Sequence, residues 1–241
     1  MRNFGVIGAH LTHSFSPDYF AYKFKQLGLN DCTYLPLEME SIHSIQRVVE
    51  TNKLNGFNVT IPFKQSIIPY LDSISPEAAA INAVNTVIVK AGQLHGTNTD
   101  YMGFANSLSK HLTSHHKNAL IFGTGGSSKA IKFVLKSWGI QYILVSRSSQ
   151  GDFTYDQLTP QLIEEHTIIV NATPRGMYPH VDDCIALPFD ALSAKHICYD
   201  LIYNPAETQF LKNAKAQQAT VISGLEMLTI QADKSWDIWN M

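Results

Sequence analysis

Three stretches hold side chains whose types and spacing could do chemistry. The first, Gly56–Lys64, reads GFNVTIPFK. It opens like a buried strand and ends on a lysine just after a proline. Proline suits the first turn of a helix, where its missing N–H would be unpaired anyway, so the pattern predicts a helix over Pro62–Leu71. Lys64 then sits in the positive end of that helix dipole, where a carboxylate would be preferred. A local rule broken in this way is expected at functional sites. A lysine so placed can stabilise a developing negative charge or deliver a proton. Around Lys64 the chain offers Ser14 and Ser16 after the first strand, Asn58 and Thr60 on the third, Asn85 before another, and Thr97-Asn98-Thr99-Asp100 after a hairpin. Hydroxyls, amides, one lysine and one aspartate at element ends suit a small, hydroxyl-rich ligand. Asp100 and Ser16 also read as helix N-caps, and Asn85 as a turn residue.

The second stretch is LIFGTGGSSKA, which places Gly123, Gly125 and Gly126 after an apolar strand and before a helix. Glycines there let the backbone approach a pyrophosphate that the helix N-terminus stabilises. Ser128 stands where the third glycine of the dinucleotide fingerprint would be. The third stretch is Val145-Ser146-Arg147-Ser148, at the end of the next strand. An NAD site usually carries an acid there for the ribose hydroxyl. Arg147 suits a 2′-phosphate instead, which favours NADP.

These groups need a scaffold, and strand-like and helix-like stretches alternate as in an α/β protein. Strands are expected at Phe4–Gly8, Thr33–Leu37, Gly56–Thr60, Thr86–Val89, Gln93–His95, Ala119–Phe122, Tyr142–Val145, Thr167–Val170 and His196–Tyr199. Helices are expected at Pro17–Leu27, Ser41–Thr51, Pro62–Leu71, Pro76–Ile81, Asp100 to about His115, and Ser127–Trp138. Ala91–Gly92 looks like a hairpin turn, so the first sheet is mixed. After Arg147 the connection leaves little room for a full helix before Thr167. Two βα series joined by one helix predict two domains, residues 1–100 and 101–223.

The bulk numbers exclude several functions. With 241 residues, 45% of them apolar, the chain can bury a real core. A net charge of −2 with scattered Lys and Arg gives no basic footprint for nucleic acid or a membrane surface. Cys32, Cys184 and Cys198 lie far apart and read as reduced thiols of a cytoplasmic protein. The ten histidines include no metal-ligand spacing; most are expected at the surface, and His115 and His116 to face different ways. No metal site is expected. MRNFGVIGAH lacks the apolar run of a signal peptide, and no stretch is long and apolar enough to span a bilayer.

The chain resembles the shikimate dehydrogenases. The resemblance rests on Gly8-x4-His13-Ser14-x-Ser16-Pro17, Asn58-Val59-Thr60-x-Pro62-x-Lys64, Ala83-Val84-Asn85-Thr86, Asn98-Thr99-Asp100, Gly123-x-Gly125-Gly126, Asn171-Ala172-Thr173-Pro174, Tyr199-Asp200-x-x-Tyr203-x-Pro205 and Gly224-Leu225-x-Met227-Leu228-x-x-Gln231. These motifs run in order over nearly the whole chain. They imply an N-terminal α/β substrate domain with a mixed sheet, a C-terminal NADP-binding Rossmann domain, and a last segment, 224–241, returning to the first domain. They imply interconversion of 3-dehydroshikimate and shikimate with NADP(H), on the route to chorismate and the aromatic amino acids. Lys64 and Asp100 would be the catalytic pair. Ser14, Ser16, Thr60, Asn85, Asp100, Tyr203 and Gln231 would bind the substrate. Gly123, Thr124, Gly125, Gly126, Ser127, Arg147, Asn171, Thr173, Leu201 and Gly224 would bind the cofactor. A monomer or homodimer is expected. Three positions depart from the family pattern. Thr97 replaces a usual aspartate, Glu226 a common glycine, and no second basic residue follows Arg147. A quinate/shikimate dehydrogenase with relaxed cofactor use, and a non-catalytic NADP-binding module, are the alternatives; Arg147 speaks against a Rossmann methyltransferase.

Overall fold

The computed structural model describes residues 1–12 and 14–241; His13 of the first motif lies outside the described residues. The chain forms two compact units, Met1–Thr99 with Ala232–Met241, and Asp100–Gln231.

The first unit contains β1 (Arg2–Gly8), α1 (Ser16–Gln26), β2 (Cys32–Glu38), α2 (Ile45–Thr51), β3 (Leu54–Val59), β4 (Ser73–Ile74), α3 (Pro76–Ile81), β5 (Thr86–Lys90) and β6 (Gln93–Thr97). Its sheet order is β2-β1-β3-β5-β6-β4. The β2-β1-β3 half is parallel, and β5 runs antiparallel to β3 and β6. Ala91 and Gly92 both have positive φ, 50° and 80°, and close the β5–β6 hairpin. All five residues from Phe4 to Gly8 are buried, as a strand covered on both faces must be. One face carries Ile7, Ile45, Phe57, Val59 and Ile67, and the other Phe4, Phe20, Phe24 and Trp239. Trp239 stacks on Phe4 at 4.8 Å between ring centroids and donates its indole N–H to the Val87 carbonyl at 2.9 Å. A Cβ at Gly56 would lie 2.3 Å from the Trp239 ring, so the strand needs glycine there.

The second unit contains α4 (Asp100–Ser109), β7 (Asn118–Phe122), α5 (Gly126–Ser137), β8 (Gln141–Ser146), β9 (Phe153–Thr154), α6 (Pro160–Glu165), β10 (Ile168–Asn171), β11 (Ile197–Asp200), α7 (Gln209–Ala216), β12 (Thr220–Ile222) and the first part of α8 (Leu225–Trp239). The sheet order is β12-β11-β10-β7-β8-β9, and every pairing is parallel. The order reverses at β7/β10, so the loop after β7 opens at the topological switch point.

Three local expectations are corrected. Residues 61–67 are not the start of a helix; they form successive turns, followed by a single 3₁₀ turn at Ile68–Tyr70. The Lys64 carbonyl accepts the Val84 N–H at 2.7 Å and so leaves any helical ladder. The helix from Asp100 ends at Ser109 rather than near His115. The Thr113 N–H goes to the His116 ring at 2.9 Å instead of back into a helix. His115 and His116 face the same way. Their ring centroids are 4.0 Å apart, and each Nε2 reaches the Lys195 carbonyl, at 3.1 and 3.2 Å. The short segment after Arg147 holds a short helix, the six-residue α6, in keeping with the little room expected there.

Candidate active site

In the first unit the polar side chains gather where β1 and β3 end and β5 begins. Backbone bonds stitch these ends together. The Thr60 N–H reaches the Ile7 carbonyl at 2.8 Å, Val59 reaches Asn85 at 2.8 Å, and Asn85 reaches Thr97 at 3.1 Å. Asn58 donates to the Asn85 carbonyl at 3.2 Å, to Thr86 Oγ1 at 3.1 Å and to Ser235 Oγ at 2.9 Å. Asn85 Oδ1 accepts the Thr99 backbone N–H at 2.6 Å, and its amide donates to Thr99 Oγ1 at 3.0 Å. Asn98 donates to the Ala83 carbonyl at 2.9 Å. Buried polar groups of this kind must be paired, and the pairing fixes the Asn85 and Thr99 side chains in place. Around this lattice stand half-buried Ser14, Thr60 and Lys64, and Ser16 at the start of α1. The structure thus brings Ser14, Ser16, Thr60, Lys64 and Asn85 to the same edge of one sheet. A cation among hydroxyls and amides can bind a polyhydroxylated carbonyl compound and protonate its oxygen.

Two participants escape the sequence reading. Tyr34 is half-buried, donates to Asn58 Oδ1 at 2.8 Å and lies near Ser16. Burial pushes its phenol strongly up, so it stays a neutral donor. Ser235, fully buried, touches Asn58 and Thr86 Oγ1, the latter at 2.8 Å. Its position four residues after Gln231 on α8 is the signal that could have found it, since that spacing shares a helix face. Thr97 donates to Ser75 Oγ at 3.2 Å, and Ser75 caps α3 by accepting the Ala78 N–H at 3.1 Å.

In the second unit the site is built from backbone. Gly123 has φ +106°, a region L side chains rarely adopt, and a Cβ would lie 3.1 Å from the Ala172 carbonyl. Gly125 differs. Its backbone is extended, φ −72° and ψ −177°, and a Cβ there would meet nothing within 4 Å. Nothing among the described residues requires glycine at Gly125, and its bare backbone leaves room for the close approach of a ligand. No side chain caps α5, so its first N–H groups, at Gly126, Ser127 and beyond, suit an anion. Ser128 turns its hydroxyl back to the Gly125 carbonyl at 2.6 Å, which satisfies it where the fingerprint has glycine. Thr124 and Ser127 are half-buried beside the loop, and Arg147 is exposed just past β8.

Asn171, at the end of β10, spends its amide on Asp200 at 3.1 Å and its oxygen on the Thr173 hydroxyl at 2.6 Å. Asp200 also accepts from Thr208 at 2.6 Å and from the Ile202 N–H at 3.0 Å. Burial pushes its carboxyl up to about 6, against the opposing pull of those three hydrogen bonds. Gly224 packs on Leu201, and a Cβ there would lie 2.1 Å from the Leu201 carbonyl oxygen. Asp100 is the first residue of α4 and is buried, Tyr203 follows β11, and Gln231 donates to the Leu228 carbonyl at 3.0 Å on α8. Glu226 pairs with Lys110. Among the described residues no group of His, Cys, Asp or Glu is arranged to hold a metal ion.

The model of the shikimate dehydrogenase substrate-binding domain matches residues 6–87. The shikimate dehydrogenase (NADP(+)) of Methanosphaera stadtmanae is 38% identical, over 98% of this chain and 90% of its own length. That of Clostridium beijerinckii is 38% identical, over 99% and 92%. The chain belongs to the shikimate dehydrogenase family. A crystal structure of the Thermus thermophilus shikimate 5-dehydrogenase in complex with NADP(H) and shikimate superposes with a TM-score of 0.88 at 31% identity, covering 99% of this chain and 93% of that one. Family membership accounts for the two dissimilar sites, a side-chain lattice with a lysine in one unit and a glycine cradle with a strand-end arginine in the other. The observations at Gly125 and at the uncapped α5 fit a dinucleotide, and Arg147 fits its 2′-phosphate.

Proposed function

We infer that the chain is an NADP-dependent shikimate dehydrogenase, which reduces 3-dehydroshikimate reversibly to shikimate in the supply of chorismate for aromatic amino acids. The observation that carries this is Lys64, held by its own carbonyl at a sheet edge lined with ordered hydroxyls and amides, in a chain akin to these enzymes over almost its full length. NADPH, when bound, supplies a hydride to the C3 carbonyl carbon. Lys64 gives the carbonyl oxygen its proton, and Asp100 orients the reacting hydroxyl, so ketone, hydride and proton sum to the secondary alcohol. Ser14, Ser16, Thr60, Asn85, Tyr203 and Gln231 bond the substrate's hydroxyls and carboxylate. The substrate domain is the first compact unit and the dinucleotide domain the second, so Asp100 and residues 224–231 fall in the second rather than in the expected 1–100 with 224–241. Gly123, Thr124, Gly125, Gly126 and Ser127 receive the pyrophosphate and Arg147 the 2′-phosphate. Asn171 and Thr173 shape the adjoining loop, with Leu201 and Gly224 beside it. The enzyme works in the cytoplasm, as a monomer or homodimer; three unpaired thiols and the lack of any helix long and apolar enough to cross a membrane, among the described residues, accord with this.

The test is reduced-nicotinamide absorbance with purified protein, comparing shikimate and quinate, each with NADP and NAD. Turnover of shikimate with NADP is expected to exceed every other pairing. Comparable turnover of quinate or with NAD makes it a quinate/shikimate dehydrogenase of relaxed cofactor use, which the absence of a second basic residue after Arg147 would favour. No turnover in any pairing makes it a non-catalytic NADP-binding protein.

A further inference from the structure

The segment after Arg147 reads Ser148-Ser149-Gln150-Gly151 and brings no second cation to the end of β8. The fold brings one from another strand. Phe122 ends β7, Arg147 follows β8 by one residue, Tyr155 follows β9 by one, and Arg175 lies four residues past the end of β10. These four strands are neighbours and all parallel, so all four residues stand at the same carboxyl edge. The Arg175 backbone is pinned there, its N–H on Thr173 Oγ1 at 3.2 Å and its carbonyl taking the Asn171 amide at 3.3 Å. Its Nε donates to Asp183 Oδ2 at 3.1 Å, and the guanidinium lies near the Tyr155 hydroxyl. The Tyr155 ring packs on Phe122 at 5.6 Å, directly before the glycine loop. Burial raises the pKa of the Tyr155 hydroxyl, and the charges of Arg175 and Arg147 both oppose that rise, so both lie near it.

We propose that Arg175 is the second cation of the 2′-phosphate subsite and a determinant of the preference for NADP over NAD. This rests on the NADP reading above. A dianionic phosphate takes two guanidinium forks well, and the backbone bonds of Arg175 hold it at the sheet edge that carries Arg147. Asp183 offsets the charge of Arg175 and occupies only its Nε. The plain alternative is that Arg175 and Asp183 merely brace the loop from Pro174 to Asp183 as a half-exposed ion pair, worth at most about 1 kcal/mol.

Titration calorimetry of the full chain with 2′,5′-ADP and with 5′-AMP separates the two. Arg175→Gln is expected to weaken 2′,5′-ADP about tenfold and to leave 5′-AMP within about twofold. Arg175→Lys should fall between, and it carries the test if the glutamine variant melts early without ligand. Asp183→Asn should bind 2′,5′-ADP as tightly as the parent or more so. Equal weakening of both nucleotides by Arg175→Gln, or a loss in Asp183→Asn matching it, overturns the proposal in favour of a brace. Loss of 2′,5′-ADP in Arg147→Gln but not in Arg175→Gln overturns it while the NADP reading stands. No selective loss in either variant overturns both.

Discussion

At the ligand edge of the first unit's sheet, Asn58, Asn85, Thr86, Thr99 and Ser235 bind one another through side chains. At the carboxyl edge of the second unit's sheet, the loop after β7 presents glycines and an uncapped helix end. One edge is crowded with paired hydroxyls and amides, and the other is bare backbone. The difference fits the ligands proposed for the two edges. A ring bearing several hydroxyls is recognised by fixed directional partners, whereas a pyrophosphate needs only close approach and N–H groups. Substitutions in the first unit should therefore act by removing groups, and in the second by adding atoms.

The largest expected effect is that of Lys64→Ala. If Lys64 is the acid/base group, kcat should fall by about 10²–10⁴-fold with a much smaller change in KM for shikimate, because the lost interaction belongs to the transition state. Steady-state kinetics decide it. A kcat near that of the parent would make the lattice a binding site only and remove the chemistry from this edge.

Asp200 sharpens the contrast from the second unit, where its buried carboxylate accepts from Thr208, Ile202 and Asn171 and is no part of the glycine loop. Its carboxyl ionises at about 6 in the fold and near the ordinary value of 3.8 in the unfolded chain. The folded state therefore holds this proton more tightly. The associated stability is fully present below about pH 4 and is lost as pH rises through about 6. Relative to Asp200→Asn, the parent should lose up to about 3 kcal/mol between those limits. Urea unfolding of both proteins across that range would show it, and parallel curves would mean that hydrogen bonds from Thr208, Ile202 and Asn171 fully offset burial.

Gly125→Val tests the opposite mode, an added side chain. The extended backbone accepts valine and the Cβ meets no protein atom, so the unliganded melting temperature should hold. The KM for NADP should rise about tenfold or more, as valine fills the space the pyrophosphate needs. A fall in melting temperature with unchanged KM would show that Gly125 serves the fold.

Much of this arrangement was legible in the sequence, unevenly so. The glycine loop was legible because strand, loop and helix are contiguous, and helix α5 begins one residue before the expected start. The polar edge of the first unit was legible as a set of types because Asn58, Asn85 and Thr99 each sit at a strand end. The conformation at Lys64 was not, since proline marks a helix start or a turn equally well, and the pairing of the Lys64 carbonyl with Val84 is a contact across twenty residues. Tyr34 and Ser235 escaped for the same reason; their role depends on which strand lies next to which. Arg175 carried no signal in the sequence, because only the β10-β7-β8-β9 order sets it at the same sheet edge as Arg147.

Ser235→Ala carries the smallest expected effect and bears most directly on the crowded edge. The Ser235 hydroxyl meets Asn58 Nδ2 at 2.9 Å, Thr86 Oγ1 at 2.8 Å and Thr99 Oγ1 at 3.3 Å. Removing it leaves Asn58 its bonds to the Asn85 carbonyl and to Thr86, so no amide is orphaned outright. The direct loss should be about 1 kcal/mol of stability. If the lattice acts as a unit, Thr99 gains freedom, Asn85 follows through its bond to the Thr99 N–H, and KM for shikimate should rise by about two- to fivefold with kcat nearly unchanged. A loss of stability without any change in KM would mean that Asn85 is held by its own local bonds. The crowded edge would then be a collection of independent pairs, each satisfied separately, and its contrast with the glycine cradle would be one of composition and not of cooperativity.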